Sequence, residues 1–299
     1  MDDRTFYYIA ELDSVDEFDM PEMWVKANPN MGVSIKLADM IEDWEKAKRT
    51  PSERNDFITK RFNKFVSSNE ASFLDYEVLK RNDKTIDYAT TTSSSVGGFD
   101  LSDSEDHTSA YLEWAIPETG EVALLGHTWV PQAKVDSDNE KIDYYSLQEE
   151  GLLTIVPGEY VKKEYVFDWF VEQSEKYSIE KIMYDPAKAF GLVEMLQAYG
   201  FVCEVVRQGF ITLGPALDDA KERFIDGNVI FNNNRLFRWY TNNVVLVEDR
   251  NKNKMPTKQS RYRKIDGFAA FLNAHVEVMK KFTSNVGNGD IAFISLKDL

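Results

Sequence analysis

Cysteine and histidine are scarce in this chain of 299 residues: one cysteine, Cys203, and three histidines, His107, His127 and His275. A single thiol excludes an internal disulfide. Its setting in Phe201-Val-Cys-Glu-Val-Val206 reads as a small core residue of a reducing compartment. The scattered histidines, with no Cys partners at ligand spacing, exclude a zinc site. No apolar run approaches the roughly 20 residues that span a bilayer, so a soluble protein is expected. The first residues, Met1 to Tyr8, lack the basic and apolar segments of a secretory leader. There is no Gly-x-x-x-x-Gly-Lys-Ser/Thr loop, hence no cradle for ATP phosphates, and the acids Asp13, Asp16 and Glu17 stand without one. Cations are outnumbered, 35 Lys and Arg against 51 Asp and Glu, for a net charge of −16. That balance argues against a uniformly basic nucleic-acid face, although local patches rather than net charge grip phosphates.

Three short acidic stations stand out from this background. They are Gly97-Gly98-Phe99-Asp100-Leu101-Ser102, Met183-Tyr184-Asp185-Pro186 and Lys264-Ile265-Asp266-Gly267. Asp100 and Asp185 close apolar runs that read as strands, and strand ends are where ligands collect. Asp266 opens a helix-periodic run. The glycines before Asp100 let a backbone or a phosphate come close, and Asp106 follows six positions later. Each acid also has a plain structural reading: Asp100 as a strand end, Asp185 as a helix cap, Asp266 as a complement to the helix dipole. Gly267 costs about 1 kcal/mol of helix propensity relative to Ala, a cost that close approach to a metal or to the sheet would justify. His275 reads as a packed or solvent-facing side chain. The cations, by contrast, concentrate. Seven lie between Arg250 and Lys264 with no acid among them: Arg250, Lys252, Lys254, Lys258, Arg261, Arg263 and Lys264. A loop of this composition beside Asp266 suits contacts to phosphate oxygens without base reading. Three convergent carboxylates with such a loop point to hard divalent cations and phosphoryl transfer.

Patterning sets the scaffold. Residues 4–12 read as a strand, 13–30 as loop and turn, 36–48 and 51–64 as helices, and 66–95 as irregular. From 96 an α/β order begins. Strands are expected at 96–102, 108–116 and 121–130, with a tight turn at Glu118-Thr-Gly120. A short helix at 141–150, an extended piece at 152–156 and a helix over 162–177 follow. Next come strand 181–185, helix 187–199, strand 201–206, helix 213–226, the short Val229-Ile-Phe231, helix 233–240 and strand 243–249. The basic loop precedes a last helix at 265–281. Three antiparallel strands followed by alternating helix and strand fit an RNase H-like mixed sheet flanked by helices better than a doubly wound one.

Those stations, with Gln208-Gly209, Ala216-Leu-Asp-Asp-Ala-Lys-Glu-Arg-Phe-Ile-Asp-Gly-Asn-Val-Ile230, Asn242-Asn-Val-Val245 and Lys264-Ile-Asp-Gly-Phe-Ala-Ala270, resemble the C-terminal nuclease domain of the large terminase subunit of tailed bacteriophages. Trp24-Val-Lys-Ala-Asn-Pro-Asn30 and Asn55 to Asn63 resemble the segment joining its packaging ATPase to the nuclease. The resemblance implies a remnant of the ATPase domain at 1–65, a linker at 66–95, the nuclease at 96–282 and a tail at 283–299. It implies cleavage of concatemeric double-stranded DNA with two Mg²⁺ or Mn²⁺ ions. Asp100 would bridge them, Asp185 and Asp266 would hold one each, and Asp106 would serve as an auxiliary acid. Lys252, Lys254, Lys258, Arg261, Arg263 and Lys264 would contact DNA. The implied partners are the small subunit, the portal protein and an ATPase domain missing here. The implied location is the cytoplasm of an infected bacterium, away from any membrane, and no ATP site belongs to this chain. Two other readings stand beside it: another RNase H-like nuclease or recombinase, in which the same acids would serve, or a non-catalytic acidic interaction module of the packaging machine, which the net charge of −16 supports.

Overall fold

The structure is a computed structural model describing residues 8–48, 51–64, 72–102, 106–137, 139–140, 142–258, 260 and 262–283. The chain forms two compact units that divide between Ser72 and Phe73. No helix among the described residues is long and apolar enough to cross a membrane.

The first unit is built on two helices, α1 (Leu37–Ala47) and α2 (Pro51–Arg61). Its core is aromatic, with Phe18, Trp24, Trp44, Phe57 and Phe62 packed on one another. The acidic segment after Asp13 is more ordered than its composition suggests. It winds into two 3₁₀ turns, Val15–Asp19 and Pro21–Lys26, and Lys26 bridges Asp13 and Glu17. Those acids are therefore engaged in structure. The strand expected at 4–12 is not found over its described part, 8–12. Tyr8 and Ile9 are exposed, and without a neighbouring strand a β-ladder cannot satisfy its backbone groups.

The second unit begins with α3 (Tyr76–Arg81), so the irregular stretch expected over 66–95 is partly helical. Nor do residues 73–95 behave as a linker. Phe73, Leu74 and Leu79 are buried in the core of this unit, and Asn82 is fully buried, donating to the Phe224 carbonyl and accepting from the Val229 amide. Then come β1 (Ser95–Asp100), β2 (Thr108–Ile116) and β3 (Glu121–Pro131), followed by α4 (Gln132–Ser137), α5 (Tyr144–Glu149), β4 (Leu153–Val156), α6 (Lys163–Ser174), β5 (Ile179–Tyr184), α7 (Phe190–Tyr199) and β6 (Cys203–Val205). The chain continues through α8 (Phe210–Ile225), β7 (Val229–Ile230), α9 (Arg235–Asn242), the hairpin β8 (Val244–Glu248) and β9 (Lys254–Lys258), α10 (Asp266–Val278) and α11 (Lys280–Thr283). The large sheet runs β4-β3-β2-β1-β5-β6, with β7 on β3. β1, β2 and β3 are antiparallel, and β5 pairs parallel to β1. This is the expected RNase H-like mixed sheet.

Both sheet faces are covered, which explains why β1 and β2 read as nearly continuous apolar runs. One face packs on α8, α9 and α10, the other on α6 and α7. Alternation along β1 puts Val96, Gly98 and Asp100 on the α10 face and Gly97 and Phe99 on the other. The paired glycines admit different neighbours. Gly97 makes room for the Phe170 ring, and Gly98 for the α10 backbone, because a Cβ there would lie 2.2 Å from the Ala270 oxygen and 2.8 Å from the Ala274 nitrogen. Gly267 likewise seats the Tyr240 ring, 2.4 Å from where its Cβ would stand. Neither partner at Gly98 is a flexible side chain. Gly98→Ala is therefore expected to cost at least about 1–3 kcal/mol through overpacking, read as a lower urea midpoint with an unchanged slope.

Candidate active site

Strand register brings the first two acids together. Phe99 pairs with Tyr184 across the parallel β1–β5 ladder, so Asp100 and Asp185 leave adjacent strand ends. Met183 shares the α10-side core with Val96, while Ile182 and Phe99 share the opposite one. Two-residue alternation then points both aspartates toward α10. The tight contact at Gly98 sets α10 against β1, and Asp266 is its first residue. Asn273 of α10 donates to the Phe99 carbonyl at 3.0 Å, and Gln208 donates to the Asn273 oxygen at 3.1 Å. The Gln208-Gly209 motif thus acts as a brace for the strand end that carries Asp100.

Electrostatics shows that the acids share one space. Burial pushes the Asp100 carboxyl well above the usual range, and the charges of Asp266, Asp185 and Asp106 push it further. Asp266 is pushed up to about 7 by burial and then by Asp106, against the pull of its own backbone amide, Lys264 and Lys258. Asp106 goes the other way. Burial alone would raise it, but the Lys264 ammonium at 2.8 Å and the His107 amide at 2.9 Å hold it below the ordinary value. Ser102 completes this corner, its hydroxyl donating to the Asp106 carbonyl and its amide to the Thr108 hydroxyl. Asp185 also caps its own turn by accepting from the Ala187 amide at 2.9 Å. The following helix starts at Phe190 rather than at 187.

Among the described residues, no three His, Cys, Asp or Glu side chains are drawn together into a finished cation cage. The repulsion centres on Asp100, whose proton affinity the charges of Asp266, Asp185 and Asp106 all raise from separate elements. An all-oxygen donor set of this kind suits a hard divalent cation, whose charge would relieve that repulsion. The histidines do not fit such a role. His107 is fully buried, with one ring nitrogen 2.7 Å from the Tyr240 hydroxyl and the other 3.0 Å from that of Tyr144, and burial pushes it down to about 3. His275 sits between Glu113 and Asp219.

The basic segment requires two corrections. It is not simply a loop, because Lys254–Lys258 pairs antiparallel with Val244–Glu248. Lys264 is also not a surface cation. It is 4% exposed and ion-paired with Asp106, with the Glu140 carboxylate 4.0 Å away. Glu140 is itself buried and holds Lys134 at 2.8 Å. Lys252, Lys258 and Arg263 are exposed, Lys254 is half-buried, and Arg261 lies outside the described residues. Lys258 acts electrostatically on Asp266. Sequence reasoning missed Glu140, Lys134 and Lys188. The last is an exposed residue between Asp185 and α7 whose charge opposes the rise at Asp100.

Residues 1–281 match the family model of the terminase large subunit, endonuclease domain. The chain is 27% identical over 262 residues to the terminase large subunit of Enterobacteria phage HK97, covering 83% of this chain and 49% of that protein. It is 24% identical over 284 residues to the protein YmfN of Escherichia coli K12, covering 91% of this chain and 62% of that one. The crystal structure of the HK97 bacteriophage large terminase superposes with a TM-score of 0.63 at 23% identity, covering 90% of this chain and 56% of that one. The chain thus spans about half to three-fifths of the length of these relatives. It belongs to the terminase large subunit endonuclease domain family.

Proposed function

We propose that this chain is a metal-dependent endodeoxyribonuclease that cuts concatemeric double-stranded DNA during phage genome packaging, through two divalent cations held by Asp100, Asp185 and Asp266. The observation that carries this reading is Asp100 at the end of β1, with the charges of Asp266, Asp185 and Asp106 all raising its proton affinity. When bound, Mg²⁺ or Mn²⁺ would supply an activated water for in-line attack on phosphorus and charge to stabilise the leaving 3′ oxygen. The chain does the rest. Asp100, Asp185 and Asp266 would hold the cations, with Asp100 the acid on which the charges of the other two act. Lys264 keeps Asp106 ionised and in place beside them. Lys252, Lys254, Lys258 and Arg263 would hold the duplex by its phosphates, as backbone contacts that position DNA without reading its sequence.

In this role the protein would act in the host cytoplasm with the small subunit, the portal protein and an ATPase domain. Incubation of supercoiled plasmid with the protein tests the core of the reading. Nicked and linear products are expected with Mn²⁺ and none with EDTA. Cleavage that persists in EDTA, or none with any divalent cation, would overturn it.

A further inference from the structure

A cation outside the basic segment before Asp266 also stands beside the acids. Lys264, that segment's nearest member in sequence, is buried and taken up by Asp106. Lys188 stands elsewhere, three residues after Asp185 on the turn that leaves β5. Three observations single it out. First, parallel pairing of Phe99 with Tyr184 sets this turn beside the end of β1, where Asp100 lies. Second, Lys188 has φ = +66°, a left-handed conformation that costs a side chain with a Cβ and that glycine would adopt freely. A strained residue beside a cluster of acids is the pattern expected when a side chain is kept for use. Third, the turn is held on both sides of it. Asp185 accepts from the Ala187 amide at 2.9 Å, and Ala189 is 1% exposed in the core under α7. The Lys188 side chain is exposed between these anchors, and its charge already acts on Asp100 against the three neighbouring carboxylates.

We propose that Lys188 is a substrate-binding residue of this site, its ammonium donating to a non-bridging oxygen of the DNA phosphate held over Asp100 and Asp185. The inference rests on the nuclease reading and adds a contact to it. The Lys188 ammonium would add positive charge where the phosphate gains negative charge, and a donor aimed there acts mainly in the transition state. A plain alternative is that Lys188 only balances the charge of Asp100. In that case its loss would alter cation binding and leave DNA contact unchanged.

Lys188→Gly and Lys188→Arg in the full chain separate these. Glycine relieves the backbone strain, so Lys188→Gly is expected to fold with an unchanged or higher melting temperature. Mn²⁺ affinity by calorimetry is expected to stay within about twofold, while single-turnover cleavage of a linear duplex falls about 100-fold. Binding of a fluorescent duplex in Ca²⁺ is expected to weaken as well. Lys188→Arg, which can still donate to phosphate, should recover most of both losses. Wild-type-like duplex binding and cleavage by Lys188→Gly, or a loss confined to Mn²⁺ affinity, would overturn the proposal. If the wild type itself fails to cleave, the nuclease reading falls, and the Ca²⁺ binding measurement still decides whether Lys188 contacts DNA.

Discussion

Asp100→Asn is expected to abolish metal-dependent cleavage while raising the melting temperature. In the proposed site Asp100 would be a ligand of the cations, so the substitution would remove a charged oxygen donor from them. A loss of about 4 kcal/mol of transition-state stabilisation corresponds to roughly a thousandfold in rate. The opposite effect on stability follows from the same geometry. Asp100 is half-buried at the end of β1, and desolvation with the charges of Asp266, Asp185 and Asp106 raises its proton affinity well above the ordinary value. A group so raised is one whose charge the fold resists. Asn has nearly the same shape without the charge, so the metal-free protein gains stability. Mn²⁺ should then reverse the order, stabilising wild type by mass action and the variant much less. Nuclease assays and melting curves with and without Mn²⁺ check both halves. Cleavage at the wild-type rate would remove Asp100 from the chemistry, and a large drop in melting temperature without metal would show that its role is structural.

The opposed effects of that one substitution mirror what could be read in the sequence. Elements with strong periodicity were legible: β2 and β3 by their length and turn, α6 by its apolar face, α10 by the run after Asp266. So were the strand-end settings of Asp100 and Asp185 and the helix-start setting of Asp266. β9 was not, because Lys254 to Lys258 offers Met255 and Pro256 among polar residues and its pairing with β8 decides its form. A proline is tolerated there because the pair has only edges. The burial of Lys264 was hidden for a related reason. A lysine in a basic run looks solvated, and only the fold places Asp106 and Glu140 around it. The positive φ of Lys188 leaves no trace in residue type at all. Glu113 did leave a signal, as a lone carboxylate inside the apolar run 108–116, which required a buried partner.

That partner is His275, and its removal is expected to destabilise the fold severely. Glu113 and His275 are both fully buried and 2.7 Å apart, and the other imidazole nitrogen lies 2.9 Å from Asp219. Arg223 bonds Asp219 from the far side and also donates to the Gly120 carbonyl, tying α8 to the β2–β3 turn. Burial would lower the His275 pKa, but Glu113 and Asp219 outweigh it and push it up to about 9. Burial similarly opposes the ionised form of Asp219, yet His275 and Arg223 bring it down to about 2. Burial raises Glu113 even with His275 beside it, so this carboxylate depends on the imidazolium. His275→Gln removes the positive charge and leaves Glu113 buried without compensation, a change that costs about 3–5 kcal/mol. At roughly 2–4 °C per kcal/mol for a unit of this size, the melting temperature should fall by on the order of 10 °C. The pH dependence has a fixed sign. His275 is raised above its unfolded value of 6.5, so its contribution is complete below that pH and fades as pH rises through about 9. Asp219 is lowered from 3.8 to about 2, so its contribution holds above 3.8 and is lost as pH falls through that window. The gap between wild type and His275→Gln should therefore be widest near pH 4–6 and narrow toward pH 9. The double variant Glu113→Gln/His275→Gln, which removes both charges, should recover much of the loss. A gap that widens as pH rises from 6 to 9 would mean that the imidazole is neutral in the fold.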